Sequence, residues 1–127
     1  MNSKEQLLKR VASQVRKKTE RFADKEFFPS DLMGLCIDAS IALRKILWRN
    51  GIRTQLTEGY FIDDKGLDRG THYWLEWRGF IIDITATQFG LDKKVYICKT
   101  DPRYKRLEEQ DRPSHRVTKI SKMIMAI

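Results

Sequence analysis

The stretch that decides the fold is GLCIDASIALRKIL, Gly34 to Leu47, in which apolar residues recur with the period of a helix. Ser30 and Asp31, which precede it, are residue types that cap helix N-termini. The pattern continues to Asn50. The sequence therefore predicts a helix that starts after Ser30 or Asp31 and carries Cys36 in an early turn.

Two interpretations of Cys36 stay open at this point. Unpaired amides at a helix start carry partial positive charge, which favours a thiolate and so a nucleophile. Free cysteine is also among the most buried residue types, and the helix pattern taken alone favours a small core residue. Asp38 weakens the nucleophile interpretation unless its side chain points to solvent, because a nearby carboxylate opposes thiolate formation.

The second informative stretch is THYWLEWRGFIIDIT, Thr71 to Thr85, which predicts a β-hairpin with Arg78-Gly79 as a two-residue turn. The register of such a turn places His72 and Asp83 on one face as diagonal neighbours. A carboxylate buried in an apolar strand is costly without a partner, so we expect a hydrogen bond between them. The alternative is an edge strand on which both side chains face water. Adding a cysteine at a helix start favours a site over that alternative.

The remaining segments predict further elements. Ser3 to about Phe22 fits an amphipathic helix with a basic outer face of Lys9, Arg10, Arg16, Lys17 and Arg21. Strands are predicted for Arg53 to Phe61, where Gly59 is a candidate bulge or close approach, and for Lys94 to Cys98. Asp63 to Gly70 is expected to be a polar loop that could contact substrate, Asp101 to Ser114 is assigned no element, and Val117 to Ile127 fits either helix or strand.

Length and charge bound the function. A chain of 127 residues is expected to form one domain, 1–127, and its net charge of +8 would attract an anionic partner through the basic faces. We find no signal-like segment and no apolar run long enough to span a membrane, so we expect a soluble, cytoplasmic protein. The two cysteines, Cys36 and Cys98, are expected to be free thiols, and Cys98 to belong to the core. No cofactor is indicated.

Together these stretches resemble the transglutaminase-like branch of the papain-like cysteine enzymes. The resemblance covers about Gly34 to Phe89: a cysteine opening a helix, a strand after NGI, a histidine in THYWLEW and an aspartate in GFIIDITATQF. The cysteine helix and the NGI that follows it also look like the small leader-peptide proteases of lasso-peptide biosynthesis, which belong to the same branch.

The resemblance implies an α+β, papain-like (transglutaminase-like) fold with the cysteine helix packed on a small antiparallel sheet. It implies Cys36 as nucleophile, His72 as base and Asp83 as the group that orients the imidazole, acting on a peptide or protein amide. Hydrolase and acyltransferase chemistry both stay open. The Cys36 backbone N–H is the natural first oxyanion donor, and Gln88 and Gln55 are candidates for the second.

A different class of function also fits the sequence: a catalytically silent papain-like module that binds a protein or nucleic acid through its basic faces. A metal site made from the same three side chains is a more distant alternative, because metal sites usually recruit one more close ligand.

Overall fold

The computed structural model describes residues 2–110 and 116–127. It is an α+β arrangement in which one antiparallel sheet has the strand order β4-β3-β2-β1-β5. The helices are α1 (Ser3–Lys25), α2 (Cys36–Arg49) and α3 (Lys119–Met125), and a 3₁₀ turn spans Ala86–Phe89. The strands are β1 (Gln55–Ile62), β2 (Asp68–Trp77), β3 (Phe80–Asp83), β4 (Tyr96–Cys98) and β5 (Tyr104–Arg106). A small antiparallel sheet with helices is therefore confirmed.

The two faces of the sheet contribute to two different hydrophobic clusters. Alternation along the strands sends Leu56, Leu75, Trp77 and Ile82 into the main core, where they join the apolar faces of the helices. The opposite face carries a smaller cluster of Phe61, Trp74, Ile81 and Tyr104. His72 and Asp83 belong to this second face by the same alternation.

Helix α1 follows its predicted pattern with one exception. Asn2 caps its start by accepting from the Glu5 amide, and its apolar stripe is buried. Arg16, assigned from the sequence to the basic outer face, is only 3% exposed. That assignment is wrong because the guanidinium finds buried acceptors on the segment after β3 and pairs with Glu20 one turn away.

Helix α2 begins later than the capping residues suggested. Leu32 and Gly34 have φ values of 69° and 92°, which a right-handed helix does not admit, so Leu35 is the N-cap and Cys36 the first helical residue. The Asp31 carboxylate instead accepts from the Met33 amide within this turn. The predicted end is confirmed, since the helix stops at Arg49.

The hairpin register predicted from the sequence is confirmed. Arg78 and Gly79 both have positive φ, 49° and 80°, which is the backbone of a type I′ turn. Trp77 then pairs with Phe80 and Leu75 with Ile82. Because β3 ends at Asp83, β1 is the only strand among the described residues that pairs with the first half of β2.

Gly59 in β1 is the close approach that the sequence suggested. A Cβ atom there would lie 2.1 Å from the Lys105 carbonyl oxygen and 2.4 Å from the Trp74 ring. Only glycine therefore lets β5 and the Trp74 ring come this near to β1.

Three other segments of the chain can be compared with their predictions. The loop expected over Asp63 to Gly70 is shorter, because β2 already begins at Asp68. The stretch left unassigned contains β5, which the antiparallel pairing with β1 stabilises, and its residues 111–115 lie outside the described part of the chain. The C-terminal stretch is a helix, α3, capped by Thr118 in a capping box with Ser121.

Candidate active site

The His72–Asp83 contact is the centre of the site. His72 Nε2 donates to Asp83 Oδ2 at 2.6 Å, and both residues are completely buried. The contact is diagonal across the β2–β3 hairpin, as the register predicted. Neither side chain faces water, so the edge-strand alternative is wrong.

Asp83 receives four hydrogen bonds in all. Besides His72, Oδ2 accepts from the Tyr104 hydroxyl at 2.7 Å, while Oδ1 accepts from the Thr85 amide at 2.8 Å and the Thr85 hydroxyl at 3.2 Å. A carboxylate with two donors on each oxygen is fully satisfied in a dry environment. Its position and its ionised state are therefore both held by neighbours from three separate segments.

The electrostatics of the pair follow from this burial. Burial alone would lower the pKa of His72, but the charge and hydrogen bond of Asp83, with a smaller contribution from Cys36, raise it to about 9. Burial alone would raise the pKa of Asp83, but His72, Tyr104 and the Thr85 amide hold it below its usual range. At neutral pH the pair is an imidazolium next to a carboxylate.

Cys36 approaches the same imidazole. Its side chain is half-buried at the first residue of α2, and its thiol is one of the groups that raise the His72 pKa. Since Nε2 is occupied by Asp83, Nδ1 is the nitrogen left for the thiol, and it is buried without a hydrogen bond of standard geometry to any described residue. The thiol therefore affects the ring electrostatically but forms no hydrogen bond of standard geometry with it.

Helix α2 is fixed to the strand that bears His72. The Ser40 hydroxyl, one turn beyond Cys36, donates to the main-chain carbonyl of Tyr73 at 3.4 Å. Tyr73 is the residue next to His72. This hydrogen bond fixes the start of α2 next to β2, the strand that bears His72. It thereby helps to bring Cys36 to His72 and Asp83.

The Asp38 carboxylate is directed to α3 and opposes a thiolate at Cys36 less than its position in the sequence suggested. It accepts from the Thr118 hydroxyl at 2.6 Å, at the start of α3. Burial raises the pKa of Asp38, although this hydrogen bond opposes the shift. A carboxyl that ionises less readily and points to α3 is a smaller obstacle to a thiolate.

Arg16 links the two halves of the site and was missed because it was counted as a surface charge. Its guanidinium donates to the Ile84 carbonyl at 2.8 Å and to the Thr87 hydroxyl at 2.9 Å. The Thr87 hydroxyl in turn donates to the Asp31 carbonyl at 3.0 Å. One buried cation therefore joins the segment after Asp83 to the loop that leads into Cys36.

The two glutamines considered as second oxyanion donors are not placed for that role. The Gln88 side-chain amide is buried and donates to the carbonyl and hydroxyl of Thr85. Gln55 starts β1 opposite Glu76, four residues along the strand from Gly59, which pairs with His72. At about 3.3 Å per residue this is too far to reach the thiol.

Aromatic rings close the site on the side of the 3₁₀ turn. The Phe89 ring meets the His72 ring edge-on with centroids 4.6 Å apart, and it stacks on Phe61 at 4.2 Å. The Trp74 and Tyr104 rings lie 5.8 and 5.9 Å from the imidazole. This apolar enclosure is what keeps water from the His72–Asp83 pair and strengthens their attraction.

The second cysteine has different surroundings. Cys98 is half-buried on β4, and burial raises the pKa of its thiol. The nearest polar cluster joins Tyr96, Asp101 and Arg103: the Tyr96 hydroxyl donates to Asp101 at 2.6 Å, and Arg103 donates to both oxygens of the same carboxylate. Among the described residues, no imidazole belongs to this cluster.

Among residues 2–110 and 116–127, no group of three His, Cys, Asp or Glu side chains is placed to hold a metal ion, and no helix is long and apolar enough to cross a membrane. Comparisons with protein-family models, with curated proteins and with solved structures find no match to this chain.

Proposed function

We propose that this protein is a cysteine-dependent hydrolase or acyltransferase of the transglutaminase-like type, acting on a peptide or protein amide. The observation that carries the proposal is the convergence of Cys36, His72 and Asp83, a thiol, an imidazole and a carboxylate in the order of a nucleophile, a base and an orienting group. A buried imidazole held by a carboxylate through one nitrogen presents the other to the thiol, which is the arrangement that activates cysteine nucleophiles.

The chemistry would proceed in two steps. The Cys36 sulfur reacts as a thiolate, because its proton is already on the His72 imidazolium. It attacks the carbonyl carbon of the amide and forms a C–S bond. The C–N bond breaks, His72 protonates the departing amine, and a thioester remains on Cys36. Water or an amine then attacks the thioester carbon and gives its proton to His72, the C–S bond breaks, and the Cys36 thiolate is regenerated. Attack by water is hydrolysis, and attack by an amine is transfer.

The start of α2 supports the charge that develops in both steps. The first-turn amides of a helix have no intrahelical acceptor, and the Cys36 N–H is the donor nearest in sequence to the reacting sulfur. The partial positive charge at this end of the helix acts in the same direction.

The proposal is tested by comparing the two cysteines. Iodoacetamide at neutral pH should alkylate Cys36 much faster than Cys98, as read by peptide mass mapping over time. His72→Asn should slow labelling of Cys36 by about 10²-fold, the usual contribution of a positioned base, and leave Cys98 unchanged. Equal labelling of both thiols, or a Cys36 rate indifferent to His72→Asn, would refute the proposal.

Turnover is tested with the same variants. A set of peptide amides and activated esters should leave an acyl adduct on Cys36 that mass spectrometry detects after acid quenching, with Cys98→Ala retaining it and Cys36→Ala lacking it. Adding a primary amine distinguishes the two outcomes of the second step, because a transferase releases the acyl group as a new amide.

The exposed basic face of α1 favours a second candidate, a silent module that binds an anionic protein or nucleic acid. Lys9, Arg10, Lys17 and Arg21 all face solvent on this helix. Salt-dependent retention on heparin or DNA that survives Cys36→Ser, together with slow labelling of Cys36, would support this candidate over the enzyme.

A further inference from the structure

A pocket of about 300 Å³ lies at the C-terminal half of α2, away from the thiol. Arg44, Lys45 and Trp48 line it from the helix, and Arg53 and Thr54 line it from the chain that enters β1. Lys45 lies nine residues after Cys36, which is about 14 Å along a helix axis. A ligand in this pocket would leave the candidate active site uncovered.

The charge of the pocket is unbalanced. Arg44, Lys45 and Arg53 line it, and none of the described residues that line it is a carboxylate. Other basic grooves of the described chain contain their own acids: Arg16 and Lys94 share a groove with Glu20, Asp24 and Asp31, and Arg78, Lys99 and Arg106 share one with Glu76 and Asp101. Within the described residues, Lys45 and Arg53 form no salt bridge. Lys45 and Arg53 are therefore available to an anionic ligand.

The pocket also contains a hydroxyl in need of a partner. Thr54 Oγ1 is buried and makes no hydrogen bond within the described part of the chain. A buried hydroxyl without a partner destabilises the folded state, and a hydrogen bond to a ligand oxygen at this wall would offset that cost. Threonine hydroxyls and basic side chains together are common ligands of phosphate oxygens.

An aromatic ring forms the remaining wall. Trp48 is 55% exposed, whereas Trp74 and Trp77 are 1% and 7% exposed. The Lys45 ammonium lies 4.7 Å from the Trp48 ring centroid, so the cation and the flat surface are held next to each other. A large exposed indole beside cations suits a ligand that has both an anionic group and a planar ring.

We propose that this pocket binds a small phosphate-bearing ligand of nucleotide type, with the phosphate on Lys45, Arg53 and the Thr54 hydroxyl and the base against Trp48. The volume is at the lower limit for small-molecule sites, which fits a mononucleotide better than a larger cofactor. The inference does not depend on the activity of Cys36.

Trp48 provides the readout, because it is the most exposed of the three tryptophans. Adding AMP should change its fluorescence and protect it from quenching by iodide, and calorimetry should give a dissociation constant for the same ligand. Adenosine, which lacks the phosphate, should bind about tenfold or more weakly, and inorganic phosphate should compete with AMP. Binding should weaken as salt is raised.

Matched variants decide the case. The double variant Lys45→Gln with Arg53→Gln should weaken AMP binding by about tenfold or more, as should Thr54→Val by a smaller factor. The control double variant Arg10→Gln with Lys17→Gln removes the same charge from exposed sites on α1 and should change binding less than about twofold. Cys36→Ser should bind AMP as the wild type does, which separates this inference from the proposed function.

Three results would overturn the inference. The first is no binding of AMP or phosphate at millimolar concentration. The second is an equal loss of binding in the pocket and control variants, which would mean that only net charge matters. The third is binding of a single-stranded oligonucleotide without any binding of AMP, which would make the surface a nucleic-acid interface.

Discussion

The two cysteines of this chain lie in regions built from similar parts, but among the described residues an imidazole lies beside Cys36 and none lies in the polar cluster beside Cys98. Around Asp83, a buried carboxylate is held by a tyrosine hydroxyl and an imidazole, and the imidazole also interacts with Cys36. Around Asp101, a carboxylate is likewise held by a tyrosine hydroxyl, but its cation is the guanidinium of Arg103.

The difference lies in what each cation can do. An imidazole can accept a proton from a thiol and give it back, whereas a guanidinium remains charged throughout the accessible pH range. Asp101 and Tyr96 raise the pKa of the Arg103 guanidinium still further, although burial opposes the shift. The imidazole beside Cys36 can therefore act as an acid–base group, whereas the guanidinium near Cys98 cannot.

Replacing each of the two carboxylates is expected to give the largest difference in the free energy of unfolding between the two regions. Asp83→Asn should lower the free energy of unfolding by about 3–5 kcal/mol, because it leaves a buried imidazolium without its counter-charge. Asp101→Asn should cost less than half as much, since the Arg103 side chain is 24% exposed and can be rehydrated. Urea denaturation at pH 7 measures both, and equal losses would contradict the contrast.

The next largest effect is the pH dependence of the free energy of unfolding, which should differ between the His72–Asp83 pair and the Asp101–Arg103 pair. Because the pKa of His72 is raised from 6.5 to about 9, its contribution to stability is fully present below pH 6.5 and is lost as the pH rises through 9. Between those values the free energy of unfolding should fall by up to about 1.4 kcal/mol per pH unit. Unfolding curves from pH 6 to 10 should show this slope in the wild type and in Asp101→Asn.

His72→Asn is the variant that should lack the alkaline slope, because it removes the titrating group. Asp101 titrates at the opposite end: Arg103 and Tyr96 hold its pKa low against burial, so its contribution is present above pH 3.8 and lost as the pH falls. An alkaline slope that persists in His72→Asn would show that another group is responsible.

The smallest expected effect compares the two tyrosines. Tyr104→Phe should lower the free energy of unfolding by about 2 kcal/mol, because a buried carboxylate loses one of two donors on the same oxygen. Tyr96→Phe should cost under about 1 kcal/mol, since Arg103 still donates to both oxygens of Asp101. The two values from matched thermal or urea unfolding should differ by more than their error, and their equality would count against the contrast.

The parts of the site that the sequence predicted are those fixed by local geometry. The two-residue turn at Arg78-Gly79 sets a register, and the register alone brings His72 to Asp83. The helix that starts with Cys36 follows from the periodicity of its own residues, although the positive φ angles at Leu32 and Gly34 moved its first turn. These inferences need no knowledge of distant segments.

The parts that the sequence did not predict depend on distant contacts. Tyr104 reaches Asp83 from β5, a three-residue strand whose pairing with β1 leaves no periodic pattern in the sequence. Arg16 looks like any other charge on an amphipathic helix, and its burial depends on carbonyl and hydroxyl acceptors about 70 positions away. One signal for Arg16 was available, because it falls next to Val15 on the edge of the apolar stripe.

Gly59 has a consequence for how substitution data on this protein should be interpreted. A Cβ at that position would collide with the Lys105 backbone and with the Trp74 ring, both of which adjoin residues that support the His72–Asp83 pair. In a saturation mutagenesis screen we therefore expect Gly59 to tolerate no replacement and to score with the acid–base residues. Such intolerance would reflect the lack of space for a side chain at Gly59. A ranking of residues by mutational sensitivity would therefore place Gly59 among the residues that take part in the chemistry, although it does not.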